Sequence, residues 1–372
     1  MSRFLCASHL LQLAAFFAII ALAGCVHSGL RAPANSPVTV GADNPMLRFS
    51  GRSEGIGTSR VTLGYSGARV RLRFVGTSVG VRMTDDSGEN IILPWIDGKA
   101  GTKIRLNSPD GLYTLATDLE PGEHTVEVVR ITEGSFGLMH FKGFELNAGA
   151  TVLPWRDAHS RKIEFIGDSI TCGYGVEADD PNLHFEAATE NFCLGYPGLA
   201  ARALDADYLV VSRSGIGILR NFDGPYDGSA DTMPEVYPHT FYLQRNPDWD
   251  FARFVPDVVC INLGTNDFST TGVNVGKFES AYVSFAKTVL AHYPKAKLVI
   301  VQGPMNNSVE LRDSLARIVS RLDEFAKGRV SYCELSAQGA AGYGADYHPN
   351  RAQAQISAAE FTQYLADLMD WR

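Results

Sequence analysis

The chain has 372 residues, of which 45% are hydrophobic and 20% charged, and its formal net charge is -8. That length holds one large domain or two ordinary ones, and the composition is that of a soluble globular protein. The acidic balance argues against nucleic acid as a partner, because gripping phosphates calls for a basic face. No Cys/His cluster has the spacing of a structural zinc site, and nothing else in the chain calls for a metal or organic cofactor.

Residues 1–25 read as a targeting segment. Arg3 precedes an apolar run from Leu10 to Leu22 that is too short for a membrane span. The run ends in Leu22-Ala23-Gly24-Cys25, which resembles a bacterial lipobox, a signal cut before a cysteine that then carries lipid. The alternative is an ordinary secretory signal with an incidental cysteine. Both imply export, and the lipobox adds a membrane anchor at Cys25. Val26 stands where an inner-membrane signal would carry Asp, so the outer membrane is the expected location, facing the periplasm or the cell surface. Residues 26–37, small and Pro-containing, read as a tether. In an oxidising compartment Cys172 and Cys193 are candidates for a bridge, whereas Cys260 and Cys333 lie in apolar runs and read as buried side chains.

Residues 38–154 read as all-β. Val70-Arg71-Leu72-Arg73-Phe74 and Thr125-Val126-Glu127-Val128 alternate with period two, and Gly-containing breaks at Ser87-Gly88 and Asp97-Gly98 separate the runs. Several short strands of this kind predict a sandwich or jelly roll. From about residue 155 to 372 the pattern changes to strand-like runs at 162–166, 208–212, 257–263, 297–302 and 330–333, alternating with helical periods. Phe278, Tyr282, Phe285 and Val289 mark one helix. Leu311, Leu315, Ile318, Leu322 and Phe325 mark another, with Ser308 as its N-cap and Gly328 as its stop. Ile356, Tyr364, Leu365 and Leu368 mark the last. The alternation predicts an α/β domain, a parallel sheet covered by helices on both faces.

The chemistry gathers in four segments of this second half. The run Ile163-Glu164-Phe165-Ile166 ends at Gly167-Asp168-Ser169-Ile170-Thr171, a strand stopping at a turn with a hydroxyl on it. A serine there is a candidate nucleophile, although Ser after Gly-Asp is also a common helix cap. His348, in a Gly-rich loop before the final helix, is the candidate base among nine histidines. Gly215, after the second strand, can bring its N–H close to a ligand. Asn266, after the third, can donate from its amide. With the Ser169 N–H these make three donors for an oxyanion.

Gly167-Asp168-Ser169-Ile170-Thr171, Gly215, Gly264-Thr265-Asn266-Asp267 and His348 resemble, in order and spacing, the blocks of the SGNH (GDSL-like) serine hydrolase superfamily. The extensions Cys172-Gly173-Tyr174-Gly175, Trp249-Asp250-Phe251-Ala252-Arg253-Phe254 and Ile261 to Phe268 are more narrowly similar to carbohydrate esterase family 2. That resemblance implies a three-layer α/β/α hydrolase domain behind a β-sandwich, and removal of O-acetyl groups from polysaccharides such as xylan and mannan-type hemicelluloses.

In many SGNH enzymes an Asp three residues before the histidine orients it; here Ala345 holds that place and Asp346 follows it. Either the Asp346 carboxylate or backbone carbonyls could orient His348. Tyr347 and Trp249 are candidate sugar-contacting rings, with core packing as the competing reading for each. Two rival functions share the chain: an esterase acting on bacterial glycans or lipid esters, and a glycan-binding surface lipoprotein without turnover.

Overall fold

The computed structural model describes residues 36–156, 160–270 and 272–371. Cys25, with the targeting and tether segments before residue 36, lies outside them, as does His159.

The first half is two antiparallel sheets packed face to face. One runs in the order Leu112–Ala116, Val79–Asp85, Met139–Leu146, Val61–Leu63, Ser53–Glu54, and the other Thr151–Leu153, Arg69–Gly76, Gly122–Arg130, Ile91–Ile96, Lys99–Ala100. The period-two pattern explains the packing. Val70, Leu72 and Phe74 of one sheet and Val79, Val81 and Met83 of the other are buried in a shared core with Phe141 and Phe144. Arg69, Arg71 and Arg73 project from the opposite face of their strand, yet are buried too. That face meets the second half of the chain, where Arg69 pairs with Asp207 and lies 3.5 Å over the Tyr208 ring.

The second half is built on a five-stranded sheet, all parallel, in the order Ala206–Ser212, Arg161–Gly167, Val258–Asn262, Lys297–Gln302, Val330–Glu334. Its helices are α1 (Ser169–Cys172), α2 (Tyr196–Ala203), α3 (Met233–Val236), α4 (Val275–His292), α5 (Val309–Phe325) and α6 (Arg351–Met369). Phe278, Tyr282, Leu315 and Ile318 of α4 and α5 pack on one face of the sheet, and Ala200, Phe361 and Leu365 of α2 and α6 on the other. Ser308 caps α5 by accepting the Leu311 N–H at 3.3 Å.

The two halves share their cores. Ile91, Leu93, Val129 and Ile131 of the sandwich belong to the same buried cluster as Phe192, Tyr208 and Val210. Arg52 enters the α/β half completely buried, donating to the His239 carbonyl at 2.6 Å and lying 3.6 Å from the Glu164 carboxylate. Burial pushes the Glu164 carboxyl up, with Arg52 opposing it.

Candidate active site

Strand order and register bring the four segments together. Gly167 pairs with Ser212 on one side and Asn262 on the other, so three loops leave the sheet at one level. The first strand in sequence is flanked by the second and third, and open α/β sheets form their crevice where connections diverge in this way. Asp168 accepts the Ile170 N–H at 3.0 Å and starts α1, which carries Ser169 in its first turn. A Cβ on Gly167 would come within 2.0 Å of Thr171 Oγ1, so only glycine permits the turn. Burial raises the Asp168 carboxyl to about 7, against the stabilising N–H of Ile170.

The fourth segment completes the pair. His348 Nε2 lies 2.8 Å from Ser169 Oγ. Its Nδ1 lies 3.1 Å from the carbonyl oxygens of both Ala345 and Asp346. Carbonyls only accept, so Nδ1 carries the proton and Nε2 presents a lone pair to the serine hydroxyl. Burial lowers the imidazole to about 4, against the two carbonyl bonds and the Asp346 charge, and it is neutral at ordinary pH. Tyr174 stacks on the imidazole with ring centroids 3.9 Å apart. A neutral, oriented imidazole on a hydroxyl is the arrangement that can withdraw its proton during attack on a carbonyl.

The loop after Ser212 is pinned amide by amide. Arg213 N–H reaches the Gly167 carbonyl at 3.3 Å, Ser214 N–H the Glu133 carboxylate at 2.6 Å and Ile216 N–H the Arg213 carbonyl at 3.3 Å. Gly217 N–H meets Asn221 Oδ1 at 3.0 Å, and the Asp267 carboxylate takes Ile218, Leu219 and Arg220 N–H at 2.7–3.0 Å. Among the described residues, Gly215 has the one N–H between Arg213 and Arg220 without a protein acceptor. Its φ of +77° is the left-handed region that favours glycine. The Ser169 N–H likewise has no acceptor among the described residues. Asn266 Nδ2 donates to the Ile216 carbonyl at 2.9 Å and reaches Asp168 Oδ2 at 3.3 Å. The longer bond is the one a stronger acceptor in the cleft would displace. These groups face a cleft of about 540 Å³ lined also by Tyr174, Phe222 and Met305.

The Carbohydrate esterase 2 N-terminal family matches residues 49–155, and the GDSL-like Lipase/Acylhydrolase family matches residues 165–356. An acetylxylan esterase / glucomannan deacetylase of Cellvibrio japonicus is 30% identical over 345 residues, covering 91% of this chain and 93% of its own. The chain belongs to the family 2 carbohydrate esterases. The cellulase/esterase CelE of Acetivibrio thermocellus is 33% identical over 88% of this chain, which spans only 40% of that longer relative. A solved family two carbohydrate esterase from Clostridium thermocellum, in complex with cellohexaose, superimposes with a TM-score of 0.83 at 32% identity, covering 88% of this chain and all of that one.

Within this carbohydrate esterase the structure corrects two expected site residues. The Asp346 carboxylate does not touch His348; it accepts from Tyr174 Oη at 2.6 Å and the Phe185 N–H at 3.0 Å, and pairs with His184 Nδ1 at 2.9 Å. Only its main chain bonds the histidine, the carboxylate acting on the imidazole through its charge alone. Its φ of +47° turns the carbonyl toward Nδ1, a conformation Asp tolerates better than most residues. Trp249 is 5% exposed, in the core beneath α4, with the Arg52 and Arg253 guanidinium carbons 5.5 Å and 4.6 Å from its ring. It serves the seam between the halves and does not line the cleft. Tyr347 is 55% exposed, edge-on to Tyr343. Cys172 and Cys193 are buried free thiols rather than a bridge.

Tyr174, Phe222, Asp267 and Glu133 are the site's neighbours that sequence reasoning missed. Tyr174 and Asp267 stand inside the quoted blocks, so their signal was present but carried no role. Glu133 lies in the β half and had none. Glu133, Cys172 and Glu190 bring three ligand-type atoms within 4.8 Å of one another. Glu133 is engaged by Ser135 and Ser214, Cys172 donates to Ser212 Oγ at 3.2 Å, and Glu190 accepts the Glu133 N–H on Oε2 at 2.9 Å while its Oε1 is buried without a partner among the described residues.

Proposed function

We propose that this carbohydrate esterase removes O-acetyl groups from a polysaccharide of the xylan or mannan type through an acetyl-enzyme intermediate. The observation that carries the reading is the 2.8 Å contact between Ser169 Oγ and His348 Nε2, with Nδ1 held on two carbonyls. Ser169 Oγ attacks the acetyl carbonyl while His348 Nε2 takes its proton. The oxyanion is met by the N–H groups of Ser169 and Gly215 and the Asn266 amide, each such donor contributing roughly 3 kcal/mol to transition-state stabilisation. His348 then gives that proton to the departing sugar oxygen, which leaves as a hydroxyl. Water enters, gives its proton to His348 and releases acetate, restoring the serine.

A polymer substrate is supported by the names of the relatives and by the cellohexaose complex of a similar esterase. The cleft is open, and the exposed rings of Phe222 and Tyr347 are suited to the apolar faces of sugars. Once the targeting segment is cut before Cys25, lipid on that cysteine and the tether 26–37 would hold the sandwich (38–154) and hydrolase domain (155–372) at the outer membrane, among polymers too large to enter the cell. The test is acetate release from acetylated xylan and glucomannan by the purified protein and its Ser169→Ala variant. Loss of at least ~10³-fold is expected, since the nucleophile is removed. Undiminished release by the variant would overturn the reading, and a preference for longer acyl esters would favour a lipid substrate.

A further inference from the structure

The oxyanion loop is held partly by a residue from outside its own domain. Glu133 follows the sandwich strand Gly122–Arg130, and its Oε2 accepts the Ser214 N–H at 2.6 Å across 81 residues of sequence. Ser214 immediately precedes Gly215. The carboxylate is itself immobilised. Ser135 Oγ donates to its other oxygen, and the Glu133 N–H donates to Glu190 Oε2 at 2.9 Å. The fully buried Arg130 guanidinium then grips the Thr132, Glu133 and Leu63 carbonyls at 2.9, 2.5 and 3.2 Å. Burial, with the Glu133 carboxylate adding to it, pushes the Glu190 carboxyl well up. Glu133 is 5% exposed, so its carboxylate is withdrawn from solvent on the sandwich side of the bond.

We propose that Glu133 is a positioning residue for the esterase reaction: by fixing the Ser214 amide, the β-sandwich aims the neighbouring Gly215 N–H at the oxyanion. The inference rests on the proposed roles of Ser169 and Gly215, and it makes the sandwich part of the catalytic unit rather than an appended module. The physical argument is one of direction. A donor stabilises an oxyanion only when aimed at the place where charge develops. The Glu133 bond fixes the Arg213–Ser214 peptide plane, and the Ser214–Gly215 plane that carries the Gly215 N–H is joined to it through only the two Ser214 dihedrals. Glycine at 215 supplies the needed backbone conformation but no stiffness, so the stiffness comes from its neighbours' anchors: Asp267 beyond the turn, Glu133 before it.

The test uses the full chain and an aryl acetate, with the concentration of competent serine titrated by a fluorophosphonate. Glu133→Ala is expected to lower kcat by roughly 10- to 100-fold with KM within about threefold, part of the loss known for deleting a donor outright. Glu133→Gln keeps an oxygen for the Ser214 N–H and is expected to recover most of that rate. Should Glu133→Ala fold poorly, Glu133→Asp retains the charge but withdraws the acceptor by one methylene; a kcat about 10-fold below wild type is expected at a preserved melting temperature. A purely structural role would lower the melting temperature and the titratable fraction while leaving kcat per competent serine unchanged. That result in Glu133→Ala or Glu133→Asp would overturn the proposal while the nucleophile assignment stands. Full activity in Ser169→Ala would instead remove the reading beneath it.

Discussion

Replacing Asp346 separates a dyad from a triad. If the carboxylate steadied His348 directly, its removal would cost the ~10⁴-fold seen when an Asp–His link is broken, or about 5.5 kcal/mol of barrier. The structure leads to a much smaller figure. Both Nδ1 bonds go to carbonyl oxygens, which Asp346→Ala retains. What the variant loses is the brace behind them: acceptors for Tyr174 Oη, the Phe185 N–H and His184. His184 is 92% exposed, so its contact adds little. The other two bonds are worth about 1 kcal/mol each, and alanine at φ +47° costs a further ~1 kcal/mol. Stability should fall by about 3 kcal/mol. Activity at a temperature where the variant is folded should fall by only about 10- to 30-fold, from looser packing of Tyr174 on the imidazole. Asp346→Asn keeps the conformational tolerance and an acceptor, and should stay within about fivefold of wild type. The assay is kcat/KM on an aryl acetate beside a thermal melt. A loss above ~10³-fold in both variants, with the melt preserved, would refute the reasoning and return the carboxylate to the triad.

The remaining expectations concern proton and oxyanion. Because burial holds His348 near 4, the acid limb of kcat/KM that belongs to the imidazole should lie below about pH 5, apart from any step near 7 from Asp168; the absence of a limb below pH 5 would refute the buried, lowered imidazole. The same lowered value means the unfolded chain takes up the proton first, so stability should decline as pH drops from 6.5 toward 4, and less steeply in His348→Gln. Asn266→Ala should lower kcat ~10²-fold with little change in KM, measured on the same acetate, because its amide is met only as charge develops.

What could be read from the sequence, and what could not, divides along one physical line. Ser169, Gly215, Asn266 and His348 each lie close after a strand or close before a helix, so local pattern was enough to mark them as candidates. Parallel register then did the assembling, with Gly167 level with Ser212 and Asn262. The misread residues are those whose meaning is set by a partner from another element. An indole near Pro reads alike whether it faces sugar or core. Arg52, arriving from the sandwich roughly two hundred positions earlier, is what makes Trp249 a core residue. Glu133 reads as a polar loop residue until Ser214 is set against it. Asp346 is the sharpest case, since its contribution to the histidine is a carbonyl that every residue possesses. What is particular to Asp346 is the left-handed turn that aims this carbonyl, and the side-chain bonds to Tyr174 and Phe185 that hold it there. A carboxylate one place from where SGNH enzymes usually keep it is therefore a displaced function rather than a displaced residue. The orienting bonds come from the main chain, and the side chain braces the turn that supplies them.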